Sequence, residues 1–299
     1  MKQEEHIPVL AEPIAEMINL SPGSVVVDAT IGHGGHSKIF ARSLDSSGTI
    51  VGIDVDPKSL AAAKETLTGH KCRVLYYRAN FAEISDVFDA AGIEKADLIF
   101  ADLGICSAQL VDPERGLSFQ LESKLDMRLD DRIKATAADI VNKTDEKGLA
   151  DLIFLFGQER ASRKIARSIV HYRKTKKITT TAELAMIICR AMKIDPLSRK
   201  SKIHPATKTF QALRIAVNQE LKMLQNMLDQ MPKLLKPGGR AAVISFHSLE
   251  DRIVKHDFRQ KALAGEYNIV TKKPLVASQH ERDMNPRSRS AKLRIAEKI

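Results

Sequence analysis

Tryptophan is absent from the 299 residues, aromatic residues make up 5% of them, and only three are cysteine. So few aromatics argue against a base-stacking platform of the kind that binds single-stranded nucleic acid. Cys72, Cys106 and Cys189 are odd in number and form no C-x-x-C pair, which argues against both a disulfide framework and a cysteine zinc site. A reducing compartment is expected. No apolar run reaches the roughly 18 residues that span a bilayer, and Met1 to Pro8 carries acids where a signal peptide has its basic lead. A cytoplasmic protein with no membrane partner is the expectation.

The chain is otherwise that of a folded protein, 43% hydrophobic and 28% charged, long enough for one large domain or two ordinary ones. Its net charge of +10 is unevenly spread. Residues 1–110 hold 9 Lys+Arg against 15 Asp+Glu, residues 111–205 hold 20 against 13, and residues 206–299 hold 18 against 9. Cations segregated in this way predict a polyanionic partner, because phosphate neutralisation releases counterions.

Four β-branched runs alternate with helical stretches in the first hundred residues: Ser24 to Asp28, Thr49 to Asp54, Arg73 to Tyr77 and Asp97 to Asp102. This rhythm predicts βαβ units around a parallel sheet. After Asp102 only helical periodicity continues up to residue 205. Strand-like sequence returns at Arg240 to Phe246, after the turn residues Lys236 to Gly239, and again at Lys292 to Ala296. A long amphipathic helix with Phe210, Leu213, Val217, Leu221, Leu224 and Leu228 on one face is predicted before that turn, and residues 261–290 are expected to be loop-rich. The pattern predicts a discontinuous α/β domain of residues 1–110 and 206–299, interrupted by a helical insertion of residues 111–205.

Directly after the first strand comes Asp28-Ala-Thr-Ile-Gly32-His-Gly34-Gly35-His36-Ser37. Glycines here let the backbone approach a ligand at the start of a helix. A dinucleotide fingerprint needs glycine where Ser37 stands, which argues against a NAD-dependent oxidoreductase. The other ligand of such a loop is S-adenosylmethionine, whose ribose hydroxyls an acid at the end of the second strand, Asp54, would accept. His33 and His36 are three apart, but no acid or cysteine beside them completes a coordination sphere, so no metal is expected.

Asp102-Leu-Gly-Ile-Cys106-Ser107-Ala-Gln109 follows the fourth strand, which in a doubly wound sheet borders the ligand crevice. Methylating an exocyclic amine is hard because its lone pair is delocalised into the ring. Asp102 could localise that pair by accepting the amine's hydrogen bonds. It could equally be a turn or capping acid. Cys106 has no acid–base partner in the pattern and reads as an inert thiol.

These motifs, with His6 to Leu10, Asp54-Val-Asp-Pro57, Glu114 to Phe119, Leu125 to Arg128, Gly157 to Arg160, His204 to Gln211, Ser245 to Arg252 and Asn285 to Ser290, resemble the bacterial small-subunit ribosomal RNA cytosine-N4 methyltransferases, the family called RsmH or MraW. The resemblance runs over nearly the whole chain. It implies a class I, Rossmann-like S-adenosylmethionine-dependent methyltransferase sheet carrying an all-helical insertion, acting on the N4 amine of a cytosine in the decoding region of 16S ribosomal RNA. It also implies that Gly34, Gly35, His36, Asp54, Phe81, Asp102 and Gln109 contact the cofactor. Two departures stand out: Cys106, Ser107 and Ala108 where the family has two serines and a proline, and Thr30 at the first glycine place of the general class I pattern.

From Ser162 to Ala182 there is no acid but seven cations. On a helix Arg160, Arg163, Lys164, Arg167, His171 and Lys174 share one face and Ile165, Ile169 and Tyr172 another, which predicts one packed face and one that meets RNA phosphate. Arg160, Arg163, Lys164, Arg167 and Lys174 are thus the expected RNA contacts. The rival readings are methylation of another base or of DNA, and an RNA-binding ribosome assembly factor without turnover.

Overall fold

The computed structural model describes residues 8–120, 122–194 and 204–299. They fall into two compact units, Met1–Gly104 with Leu221–Ile299, and Ile105–Glu220.

The first unit is a seven-stranded sheet: β1 Val25–Asp28, β2 Thr49–Asp54, β3 Arg73–Arg78, β4 Ala96–Asp102, β5 Leu235–Ser245, β6 Tyr267–Ile269 and β7 Lys292–Lys298. The order is β3-β2-β1-β4-β5-β7-β6. β1 to β5 pair in parallel, and β7 runs antiparallel to β5 and β6. This is the class I methyltransferase sheet that the resemblance implies. The chain winds outward through β1, β2 and β3, then returns to the other side of β1 as β4. A crevice therefore opens at the carboxyl ends of β1 and β4, where a doubly wound sheet binds its ligand.

The sequence makes such a sheet because its strands are apolar on both faces, as a sheet covered by helices on both sides requires. Alternate side chains enter opposite cores. Val26, Ile50, Leu98 and Phe100 join one buried cluster, and Val27, Val51, Ile99 and Ala101 the other. Phe100 is fully buried, so its truncation to alanine would cost about 3–5 kcal/mol.

In chain order the helices are α1 Ala11–Met17, α2 Gly35–Ala41, α3 Pro57–Thr66, α4 Ile84–Ala91, α5 Ser107–Val111, α6 Ala137–Lys143, α7 Glu146–Gly157, α8 Ser162–Arg173, α9 Thr181–Met192, α10 Thr207–Asn218, α11 Glu220–Leu234, α12 Ser248–Leu263 and α13 Gln279–Met284. Helices α5 to α10 build the second unit. No helix among the described residues is long and apolar enough to cross a membrane.

Three expectations are corrected here. The single amphipathic helix is two, because Gln219 adopts a left-handed φ of 49° and ends α10 before α11 begins. Its apolar stripe serves two cores: Phe210, Leu213 and Val217 bury with Ile153, Ile165 and Leu184 in the helical unit, whereas Leu224 and Leu228 bury under the sheet. The second unit accordingly ends after α10, not before it. Residues 261–290 are also more ordered than expected. They contain the end of α12, then β6, α13 and a 3-10 turn, Pro286–Ser290, and the side chains of Ser278 and Asn285 cap the last two.

Candidate active site

The loop after β1 is tied together by its own acid. Asp28 is buried, and its Oδ2 accepts the Ser37 hydroxyl at 2.6 Å while its Oδ1 accepts the Thr30 N–H at 3.3 Å. Ser37, standing where a dinucleotide loop has glycine, thus closes the loop from the α2 side. Burial pushes the Asp28 carboxyl up to about 6, against the hydrogen bond from Ser37. Two glycines are required sterically. Gly34 precedes α2 at φ 82°, where a Cβ would also sit 3.3 Å from Ala63 Cα, and a Cβ on Gly52 of β2 would meet Ile31 Cδ1 at 2.2 Å. The Gly52 gap seats the loop's Ile31 on β2, whose Ile53 carbonyl accepts the Ile31 N–H. Gly35, the first residue of α2, lies against Pro8.

Asp54 ends β2 with its carboxylate fixed from two sides, by the N–H groups of Gly32 at 3.0 Å and Asp56 at 2.8 Å. Phe81 opens a 3-10 turn, Phe81–Glu83, just beyond β3, held by a capping box between Asn80 and Glu83. Phe81 is half-buried against the core under the sheet.

Asp102 closes β4. Its N–H donates to Thr30 Oγ1 at 2.6 Å, so the threonine at the first glycine place joins the β1 loop to the end of β4. The imidazole of His36 lies against the Phe100 ring, and its Nε2–H donates to the Val9 carbonyl at 2.9 Å. A carbonyl only accepts, so Nε2 carries the proton and the neutral ring presents its Nδ1 lone pair 3.6 Å from Asp102 Oδ2. The other oxygen, Asp102 Oδ1, is buried and makes no hydrogen bond among the described residues. Burial raises the Asp102 carboxyl to about 7, with the Arg287 guanidinium pulling the other way, and burial lowers the His36 imidazole. An unsatisfied buried acceptor costs about 1–3 kcal/mol, a cost a bound N–H donor would relieve.

Gln109 lies in the helical unit, where its side chain and that of Cys106 exchange backbone hydrogen bonds as the capping box of α5. In the same unit Arg163, Lys164, Arg167, His171 and Lys174 are exposed along and just beyond α8, while Ile165 and Ile169 are buried. Arg160 is exposed too, but it sits in the turn before α8, not on the helix. Three cations of the acid-free stretch have local partners. Arg167 pairs with Glu146 at 3.5 Å, Lys176 with Glu183, and Arg173 donates to the Val141 and Thr144 carbonyls that end α6.

Sequence reading missed Thr30, Glu281 and Arg287. Glu281 Oε1 accepts the Leu10 N–H at 2.7 Å, tying α13 to the segment whose Val9 holds His36. No spacing signals a contact between residues 271 positions apart. The linear hints are the Asn285 to Ser290 motif, which contains Arg287, and Thr30 at the first glycine place, neither of which states a role.

The model of the MraW methylase family matches residues 3–299 of this chain. A protein named ribosomal RNA small subunit methyltransferase H from Acidobacterium capsulatum is 44% identical over 305 aligned positions covering 100% of both chains. A protein of that name from a Cyanothece species is 46% identical, covering 98% of this chain and 95% of its own. One from Solibacter usitatus is 44% identical over 98% and 99%.

Proposed function

The chain belongs to the MraW methylase family, and from that premise we propose that it transfers the methyl group of S-adenosylmethionine to the exocyclic N4 amine of a cytosine in small-subunit ribosomal RNA. The observation that carries the reading is Asp102 Oδ1, a buried acceptor without a hydrogen bond among the described residues, at the carboxyl edge of the sheet beside the glycine loop. A hydrogen-bond donor is what it lacks, and the target amine supplies one.

The residues around it fit the cofactor. Gly34 and Gly35 leave the loop backbone open, the Asp54 carboxylate is fixed where ribose hydroxyls can donate to it, and Phe81 offers an apolar edge to the nucleoside. His36 and Asp102 complete those of the sheet unit, and the family resemblance adds Gln109. When bound, S-adenosylmethionine supplies a methyl group activated by its sulfonium. Asp102 accepts an N–H of the target amine and draws the nitrogen lone pair out of conjugation with the ring, an interaction that strengthens as positive charge builds on nitrogen. A carboxyl whose burial sets it near 7 can also take up the amine's proton at neutral pH.

The target base must leave its stack to reach a pocket at a sheet edge, which is cheapest where RNA is already unpaired or distorted. Arg160, Arg163, Lys164, Arg167 and Lys174 grip phosphate in this reading, and such contacts position RNA without reading its sequence. The test is transfer of labelled methyl from S-adenosylmethionine, with mass spectrometry of the digested RNA. The expected result is N4-methylcytidine on small ribosomal subunits and far less on an oligonucleotide of the same sequence. Methylation of another base, or none, would overturn the reading.

A further inference from the structure

His36 and Asp102 face each other in an arrangement that costs energy when neither carries a proton between them. His36 Nε2–H is committed to the Val9 carbonyl, so the Nδ1 lone pair points toward a carboxylate oxygen across 3.6 Å, with the two side chains only 8% and 22% exposed. Water screens this opposition poorly. One proton placed between the two atoms turns it into a hydrogen bond. From this geometry we infer that His36 and Asp102 form a receptacle for a single proton, and that His36 carries away the proton the target amine loses on methylation.

The inference rests on the methyl-transfer reading above. The nitrogen lone pair of the amine forms the new N–C bond, and the electrons of the broken C–S bond stay on sulfur. The base then holds a positive charge and sheds one N4 proton to Asp102. That proton arrives on Oδ1, and rotation of the carboxyl about Cβ–Cγ turns the new O–H toward His36 Nδ1; the imidazole becomes imidazolium with its Nε2–H still on Val9, and water takes the proton as product leaves. The groups facing the pair divide over this route: burial of His36 works against the imidazolium, and Asp28 works against ionisation of Asp102. Asp28 on the β1 side and Glu281 on α13 favour the imidazolium, and Arg287 on the Pro286–Ser290 turn favours the ionised Asp102 that must receive the proton first. His36 acts through Asp102 and is a positioning and relay residue in this account.

Two measurements test it. Nitrogen-15 NMR of the whole protein, with the His36 signal assigned through His36→Gln, is expected to show a neutral ring protonated on Nε2 at pH 7. A ring protonated on Nδ1 would overturn the inference. Methyl transfer at saturating subunit is expected to rise with pH through a midpoint near 7 as Asp102 ionises. In His36→Ala the plateau is expected to fall by at least about tenfold and to recover on adding imidazole, in proportion to the neutral form, a signature that a purely structural role does not give. His36→Gln can keep the bond to Val9 and serves as the folded control; circular dichroism and thermal unfolding confirm that each variant is folded, and transfer is measured at saturating S-adenosylmethionine. Rates within twofold of wild type, or a loss that imidazole does not restore in a folded variant at saturating cofactor, would overturn the relay. Absence of any transfer by the wild-type protein would instead count against the methyltransferase reading.

Discussion

At the carboxyl edge of the sheet Asp28 and His36 are buried and Asp102 is half-buried, each fixed by a hydrogen bond: Asp28 accepts from Ser37, His36 donates to Val9, and the Asp102 N–H donates to Thr30. Along α8, Arg163, Lys164 and His171 stand in solvent. The two regions also differ in charge, with 9 cations against 15 acids in residues 1–110 and 20 against 13 in residues 111–205. Burying an acid is costly, so one held at a ligand crevice with an unsatisfied oxygen and raised basicity is a candidate for chemistry, whereas Asp28 is buried to close its loop. Exposed cations cost little and gain only the diffuse attraction of phosphate. In the proposed function turnover belongs to one region and grip to the other, so substitutions in the two should separate kinetically.

The largest effect is expected at Asp102. Asp102→Ala should lower kcat by roughly a hundredfold or more with subunit binding almost unchanged, read by single-turnover transfer and a binding titration. Next comes Asp54→Ala, which leaves the Gly32 and Asp56 N–H groups without their shared carboxylate and should weaken cofactor binding by roughly 1–3 kcal/mol in calorimetry. Arg173→Ala sharpens the comparison from within the basic stretch. Its guanidinium caps α6, so the loss should appear as about 1–3 kcal/mol of stability in denaturant unfolding and leave the salt dependence of RNA binding alone. The smallest effect belongs to the exposed face. Replacing Arg163, Lys164 and Arg167 with alanine together should flatten the salt dependence of subunit binding by up to about three units of slope, roughly 0.7 to 0.9 for each lost phosphate contact. An unaltered slope would remove α8 from the docking surface.

Strand positions were legible in the sequence because β1 to β4 are apolar on both faces and end in polar residues, and β2 falls at Thr49–Asp54 as read. The helix break at Gln219 was not. Its apolar residues continue the helical period across the break, and only tertiary packing divides Leu213 from Leu224. At the site, the glycine loop, Asp54 and Asp102 are visible as motifs at strand ends. The role of Thr30 as an acceptor for the Asp102 N–H, and the bond from Leu10 to Glu281, depend on segments that meet only in the folded sheet. Local pattern carries no trace of contacts so distant along the chain. The opposition of His36 Nδ1 and Asp102 likewise follows from one hydrogen bond, to Val9, that no motif announces.

The central claim is a division between chemistry at Asp102 and grip along α8, and one experiment tests it directly. Methyl transfer to small ribosomal subunits is measured across subunit concentration for wild type, Asp102→Ala and the Arg163, Lys164 and Arg167 triple alanine variant. The account predicts a loss of roughly a hundredfold or more in kcat with little change in KM for Asp102→Ala, and a raised KM with kcat preserved for the triple variant. Turnover by Asp102→Ala within a few-fold of wild type at saturating subunit would contradict it.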